Sequence, residues 1–400
     1  MIARKQLDVS LRDLGYGLLA CAGFASRPPE DDRAGRPLLC AHEDSLVCLS
    51  VRSAFDLLLG ELAWPAGDEV LVSAITIPDM SRILSEHGLK PVPVDLDPTT
   101  LAMDEAALER AVTPRTRAVL VAHLFGARLP LERVIAWAHG RGLQVLEDCA
   151  QAWVADEFHG HAESDAVFFS FGTIKTATAF GGGAMLVRDK ALRARLEQRH
   201  TQWPAQKTGS YFRRLLKFGV LALVQGPLAY GALFRLVRLL GRDPDTTITQ
   251  LGRGFAGENF FPRLRHRPCA ALRQMIAWRL ATYDATRVQR RAEVGGRMLG
   301  ALRGVQPIGA RGARHTHWLF PLRVGNVTAL QARLWQAGFD ATRASSSLHA
   351  LADHGNVTAP AAQEAMREVL YVPVYAAMGD RRLAELAELI NAHAEPPSQS

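Results

Sequence analysis

One lysine stands alone in an uncharged stretch. Residues 165–184 read Asp-Ala-Val-Phe-Phe-Ser-Phe-Gly-Thr-Ile-Lys-Thr-Ala-Thr-Ala-Phe-Gly-Gly-Gly-Ala, which sets Lys175 between two apolar runs of strand type, Ala166–Phe169 and Ala184–Val187. No acid lies within nine residues of Lys175 on either side. An amine among small and apolar neighbours loses hydration, which disfavours the ammonium and lowers its pKa. The free amine is the reactant for a Schiff base with an aldehyde. The glycines 181–183 would let the backbone pass close to a bound ring or phosphate. The same residues also fit a plain loop lysine between two strands.

A second stretch narrows the chemistry. Residues 143–151, Leu-Gln-Val-Leu-Glu-Asp-Cys-Ala-Gln, form another buried strand that ends in acids. Open α/β sheets build their sites outside the carboxyl ends of the strands, so Asp148 would open into the same crevice as Lys175. A carboxylate there can keep a pyridine nitrogen protonated and make the ring an electron sink. A Schiff-base lysine with such an aspartate is the minimum equipment for pyridoxal 5'-phosphate (PLP) chemistry.

Glu147-Asp-Cys-Ala-Gln-Ala152, then Phe169-Ser-Phe171, then Lys175 ahead of paired glycines, resembles the DegT/DnrJ/EryC1/StrS aminotransferases. The likeness runs from about Leu46 to Arg188, through Gly67-Asp-Glu-Val-Leu-Val, Pro91-Val-Pro-Val-Asp-Leu-Asp-Pro, Thr113-Pro-Arg-Thr-Arg-Ala and His123-Leu-Phe-Gly. It returns at Gly338-Phe-Asp-Ala-Thr-Arg and Val369-Leu-Tyr-Val-Pro-Val-Tyr. The resemblance implies an α/β protein: a fold-type-I PLP-transferase large domain with a mostly parallel sheet, and a smaller α+β C-terminal domain. It implies PLP as cofactor, an amino-acid donor such as glutamate, and a keto-sugar acceptor carried on a nucleotide; a lipid carrier enters only through a membrane reading of residues 209–242. It implies a homodimer with shared sites. Lys175 matches the Schiff-base lysine, Asp148 the partner of the ring nitrogen, Ser170 a phosphate contact and Gln151 a residue on one ring face. Ser53 and Arg52 stand where the family carries a Gly-Thr pair on the phosphate; Ser53 keeps a hydroxyl there. Ile77 falls where the family often has an aromatic on the ring, and Gly181 where it commonly has an acid. Lys175 also argues against the branch that replaces the lysine with histidine and dehydrates. By analogy, Arg343, Ser345–Ser347 (Ser346 at its centre) and His349 lie on a loop facing the substrate. Arg265-His-Arg267 stands where the family reaches into the partner's site.

These residues need a scaffold. Four hundred residues suit two domains, and 48% hydrophobic with 22% charged residues describes a globular chain. The net charge of +7 favours anionic partners, but the basic residues are scattered and no aromatic-interleaved motif accompanies them, so nucleic acid is not expected. Five scattered cysteines without CxxC spacing fit reduced thiols and a cytoplasmic setting. His159 and His161 have no flanking ligands, and no metal site is expected. Strands at 69–74, 92–96, 118–123 and 144–147 alternate with helices near 79–87, 104–111 and 130–140, the pattern of a parallel sheet covered on both faces. The expected domains are an N-terminal helical arm (1–30), a large PLP-binding domain (31–268), a single linking helix (269–299) and a small C-terminal domain (300–394). A disordered tail (395–400) follows. Residues 243–268 read as basic loop.

Leu18-Leu-Ala-Cys21 faintly resembles a lipoprotein cleavage site, but Asp8 and Asp13 interrupt the approach, so a packing helix is expected. Residues 209–242 depart from the family pattern. An uncharged run, Phe218–Phe234, is flanked by basic residues and interrupted by Gly226-Pro227, which predicts two short helices. Two readings stand: a hairpin on an anionic membrane surface through 211–241, at the inner face of the membrane, or a hairpin buried against a partner subunit. The insertion, with the departures at Arg52, Ile77 and Gly181, also raises an alternative function: a membrane-associated binding or assembly protein with little turnover.

Overall fold

The computed structural model describes residues 1–28, 39–152, 158–252, 259–312, 314–343 and 348–397. Seven strands form the central sheet: β1 (Ser45–Cys48), β2 (Glu69–Ser73), β3 (Lys90–Val94), β4 (Thr116–Ala122), β5 (Gln144–Asp148), β6 (Ala166–Ser170) and β7 (Gly183–Val187). Their order is β1-β7-β6-β5-β4-β2-β3. Strands β2 to β6 pair in parallel; β7 alone runs against both its neighbours, β6 and β1. The parallel strands read as continuous apolar runs because helices cover both faces. Val119, Val121 and Val145 pack under α4 (Glu105–Ala111) and α5 (Glu132–His139). Val70, Leu120 and Phe168 pack under α2 (Val51–Leu62), α3 (Pro78–Glu86) and α6 (Lys190–Thr201). This is the doubly covered α/β architecture expected from the sequence.

An N-terminal helix, α1 (Leu11–Ala22), starts with a capping box between Ser10 and Asp13. It lies on α7 (Thr208–Leu223) and α11 (Ala270–Thr282). Gly17 permits that approach: a Cβ there would stand 3.1 Å from Leu215. Tyr16 stacks on Trp278 at 4.2 Å, and Asp13 accepts from Trp278 Nε1 at 3.0 Å and from Arg279.

The expected break at Gly226-Pro227 is present. α7 and α8 (Pro227–Leu239) meet at 105°. No helix among the described residues is long and apolar enough to cross a membrane alone. The inner face of α7 buries Tyr211, Leu215 and Phe218, and that of α8 buries Tyr230, Phe234 and Val237.

Three local expectations change. Residues 243–268 are not a plain loop: α9 (Pro244–Gly252) and α10 (Phe260–Leu264) occupy part of them. The linking helix is two helices, α11 and α12 (Thr286–Ala301), because the backbone turns extended at Tyr283 (ψ 134°) and breaks the helical path. The start of the tail is tied down, with the Glu395 N–H on Asn326 Oδ1 at 3.1 Å. A separate core gathers Val294, Met298, Leu322, Leu334, Leu370 and Ile390 around the short pair Pro321–Arg323 and Val369–Tyr371.

Phe168 is fully buried and meets Phe55 edge-on at 5.8 Å. Phe168→Ala should therefore cost about 3–5 kcal/mol of stability, read as a lower urea midpoint with little change in slope.

Candidate active site

Two parallel strands end side by side. Asp148 closes β5 and Ser170 closes β6, at the carboxyl edge of the sheet. The chain leaving β6 forms the loop of residues 171–182 that carries Lys175. Ala177 (φ 49°) and Phe180 (φ 59°) adopt left-handed conformations that side chains disfavour. The loop is held there by Thr178 Oγ1 donating to Gly172 O at 2.8 Å and accepting from Phe180 N at 2.9 Å. Opposite, α2 begins at Ser50, an extended residue whose Oγ accepts from Ser53 N at 3.1 Å. Gly183 sets that helix against the sheet. A Cβ there would fall 2.7 Å from Val51 N and 2.9 Å from Phe169 O, backbone atoms that cannot step aside.

These parts enclose a cavity of about 1180 Å³. Among the described residues, nine Lys and Arg side chains line it, against two carboxylates, Asp79 and Asp148. Lys175 is half-buried in it. Loss of hydration pulls its amine down to about 7; Arg52 acts the same way, and Asp148 opposes both. The Lys175 Nζ sits 4.4 Å from the centre of the Trp318 ring, whose indole N–H donates to Ile174 O at 3.0 Å. Burial raises the Asp148 carboxyl, against the Ala150 N–H at 2.9 Å and the positive fields of Lys175, His123 and Arg52. At neutral pH the site therefore holds an available amine near a deeply placed carboxyl.

Beside them, His123 Nδ1 accepts from Leu129 N at 2.9 Å, so Nε2 carries the proton that is donated to Glu147 Oε1 at 2.8 Å. Burial would raise Glu147, but bonds from His123, the His161 N–H and Ser164 outweigh it and hold it at about 2. His123, Glu147 and Cys149 bring metal-ligand types together. Burial pushes the Cys149 thiol well up, so it stays protonated and donates to Glu147 at 3.5 Å. The trio is a hydrogen-bonded support behind Asp148.

Of the residues singled out from sequence, Lys175, Asp148, Gln151, Ser170, Arg52 and Ile77 all line the cavity. Gln151 is fixed by accepting from Phe125 N at 2.9 Å, and Arg52 by an ion pair with Asp79. Ser53 does not reach the cavity. It lies one turn into α2, fully buried, with its Oγ 2.9 Å from that of Ser50; Ser50 holds the position at the cavity. Arg343 is exposed on a segment held by its own N–H on Asp245, and His349 is turned onto Thr76 O at 3.0 Å, so neither lines the cavity. Ser346 lies outside the described residues. Arg265 grips Asp56 with two bonds of 2.9 Å and Arg267 donates to Trp203 O, which leaves His266 as the member of that triplet at the cavity.

The structure adds residues that sequence reading missed. Trp318 arrives from far along the chain. Lys5 stands 5.6 Å from the same ring, its amine pushed well down by burial and by Lys175. It is placed by Arg4, which grips Asp340 and Asp245 at 2.7 Å each. Arg214 enters from α7. No local motif marks any of the three; His123 alone carried a signal, in its His-Leu-Phe-Gly motif.

The sequence profile of the DegT/DnrJ/EryC1/StrS aminotransferase family matches residues 39–221, which bears out the resemblance read from the motifs. The L-glutamine:2-deoxy-scyllo-inosose aminotransferase of Micromonospora echinospora is 40% identical over 140 residues, 33% of this chain and 32% of that protein. The UDP-N-acetyl-3-dehydro-alpha-D-glucosamine 3-aminotransferase of Acidithiobacillus ferrooxidans is 36% identical over 162 residues, 39% of this chain and 44% of that protein. The aligned stretches thus span about a third to under half of these curated relatives. The crystal structure of the sugar aminotransferase CalS13 from Micromonospora echinospora superposes with a TM-score of 0.67 at 21% identity, over 98% of this chain and 100% of that one. The fold is therefore that of PLP-dependent aminotransferases.

Because the Lys175 amine sits near 7, its capture of an aldehyde should rise as pH climbs through that value. Borohydride trapping of a bound pyridine aldehyde, read by mass spectrometry, should label Lys175 with a midpoint near 7. Lys175→Ala should lose the label and Lys5→Ala keep it. The stability sign follows as well. The unfolded lysine holds its proton up to its usual range, so the ligand-free chain should gain stability with pH above about 7, and Lys175→Met should flatten that rise.

Proposed function

We propose that the chain, whose residues 39–221 match the DegT/DnrJ/EryC1/StrS aminotransferase profile, is a PLP-dependent enzyme of that family that moves an amino group from an amino acid to a keto sugar. The observation that carries the reading is the half-buried, low-pKa Lys175 sharing one cavity with Asp148 near the ends of adjacent strands.

The residues present fit a phosphorylated pyridine aldehyde. Arg214 Nε is shut off from solvent with no hydrogen-bond partner, its Nη2 reaches Thr173 Oγ1 at 3.4 Å, and no carboxylate pairs with it among the described residues. A buried guanidinium in that state is set for an anion. Ser50 at the start of α2, Ser170 and Arg214 would hold the phosphate, and Asp148 the ring nitrogen. His123, Gln151 and Ile77 are candidates for the ring faces, with Ile77 covering by dispersion where an aromatic would stack. When bound, the cofactor supplies an electron sink for the electrons left by the lost proton.

The chain's own groups do the rest. Lys175 Nζ takes the proton from the donor's α-carbon and returns one to the acceptor carbon that receives nitrogen, as base and then acid. An amine near 7 serves both roles at neutral pH. Asp148 stays charged against a protonated ring nitrogen, although burial alone would neutralise it. Glutamate is the donor we favour. The cation-rich cavity suits an acceptor carried on a phosphate-bearing nucleotide, and one relative's name specifies a UDP-linked substrate. A homodimer is part of this proposal, to be checked by light scattering.

With PLP, glutamate or glutamine as donor, and a UDP-linked keto sugar, amine transfer should be measurable by mass of the product. Lys175→Ala should lower it by at least about 10²–10⁴-fold, and full activity in that variant overturns the reading. Arg214→Ala should weaken PLP about 10–100-fold while leaving pyridoxal, which lacks the phosphate, unchanged. An equal loss for both compounds removes Arg214 from the phosphate.

A further inference from the structure

The large apolar side chains left exposed among the described residues are not scattered. Three belong to α1 and the residues just after it, Leu11, Leu19 and Phe24; the others lie on α7, α8 and the residue after them. On the hairpin they include Val220 (60% exposed), Leu223 (66%), Leu228 (92%) and Leu239 (84%). Exposed cations that do not line the cavity alternate with them: Arg235, Arg238 and Arg242. Residues 198–242 contain no Asp or Glu.

The inner face of the same hairpin is firmly occupied. Phe218 stacks on Phe180 at 5.6 Å, Tyr230 donates to Asp340, and Phe234 meets Trp335 edge-on at 5.4 Å. The outer face is therefore presented by a fixed scaffold. Helices of 16 and 13 residues, about 24 and 20 Å long, are each too short for a hydrocarbon core of about 30 Å, and the 105° bend keeps them from adding up. Their apolar and cationic side chains suit the boundary between headgroups and acyl chains.

Two occupants compete for such a face. A second copy meeting it about a two-fold axis would set this acid-free, cationic patch against itself, and like charges oppose that contact. An anionic bilayer complements both the charge and the apolar tip. We propose that the outer face of α7–α8 docks the protein on an anionic membrane surface, with Leu223 and Leu228 entering the acyl boundary and the arginines on the headgroups. The cavity that holds Lys175 is walled by the inner side of the same two helices, so docking would bring the site to the membrane.

The test is vesicle flotation of the full, PLP-loaded chain. Wild type should float with phosphatidylglycerol–phosphatidylcholine vesicles and stay behind with phosphatidylcholine alone, and added salt should release part of it. A Leu223→Asp/Leu228→Asp variant, altered only at exposed positions, should lose flotation at least tenfold while keeping its circular dichroism and its PLP absorbance. Wild type that fails to float with anionic vesicles overturns the proposal, as does a double variant that floats like wild type. Dissociation of an oligomer by the double variant, with flotation unchanged, would assign the face to a second copy instead. None of these readings depends on turnover, so they stand apart from any failure of amine transfer.

Discussion

The constraint on which the site depends is the hydration withheld from one amine. Lys175 lies half-buried among Trp318, the loop of 171–182 and the ends of two parallel strands, where hydration of its charge is reduced. Asp148 lies in the same enclosure and is driven toward neutrality from the other side. Each group's field favours the other's charged form, yet for each of them burial is the larger influence. The cavity thus combines a half-shielded amine, a carboxyl pushed toward neutrality and a surplus of cationic side chains.

Much of this was legible because parallel strands advertise themselves. Continuous apolar runs ending in Asp148 and Ser170 announce both the sheet and its functional edge, and an isolated lysine between them needs no alignment to stand out. What failed to show has a common physical character. Ser53 and Ser50 differ by one helical turn, and only the capping geometry decides which hydroxyl looks outward. Arg343 and His349 follow a loop whose backbone is captured by Asp245 and Thr76, contacts made across the fold. Trp318, Lys5 and Arg214 reach the cavity only through tertiary packing. Their local sequences describe a short strand, an N-terminal arm and a helix, and carry no periodicity that points at a site.

Two parts beyond the sheet edge also wall the cavity. The N-terminal arm is pinned by the Arg4 pairs with Asp340 and Asp245, and by Asp8, which receives the Tyr283 hydroxyl at 2.7 Å and an ion pair from Arg287. The α7–α8 hairpin supplies Tyr211, Arg214, Phe218 and Tyr230 to the same space. The sheet edge is therefore closed by an N-terminal arm and a helical hairpin that come from opposite sides of it in sequence.

Gly183 joins the sheet edge to α2. At that point the start of α2 rests on the sheet main chain to main chain, with no side chain between them to shorten, lengthen or rotate. A side chain at that point would push the helix start off the strand, so the distance from the Ser50 end of α2 to β6 is set by main chain alone. Diversification of such a scaffold would proceed by redecorating the chamber around a joint that admits no adjustment.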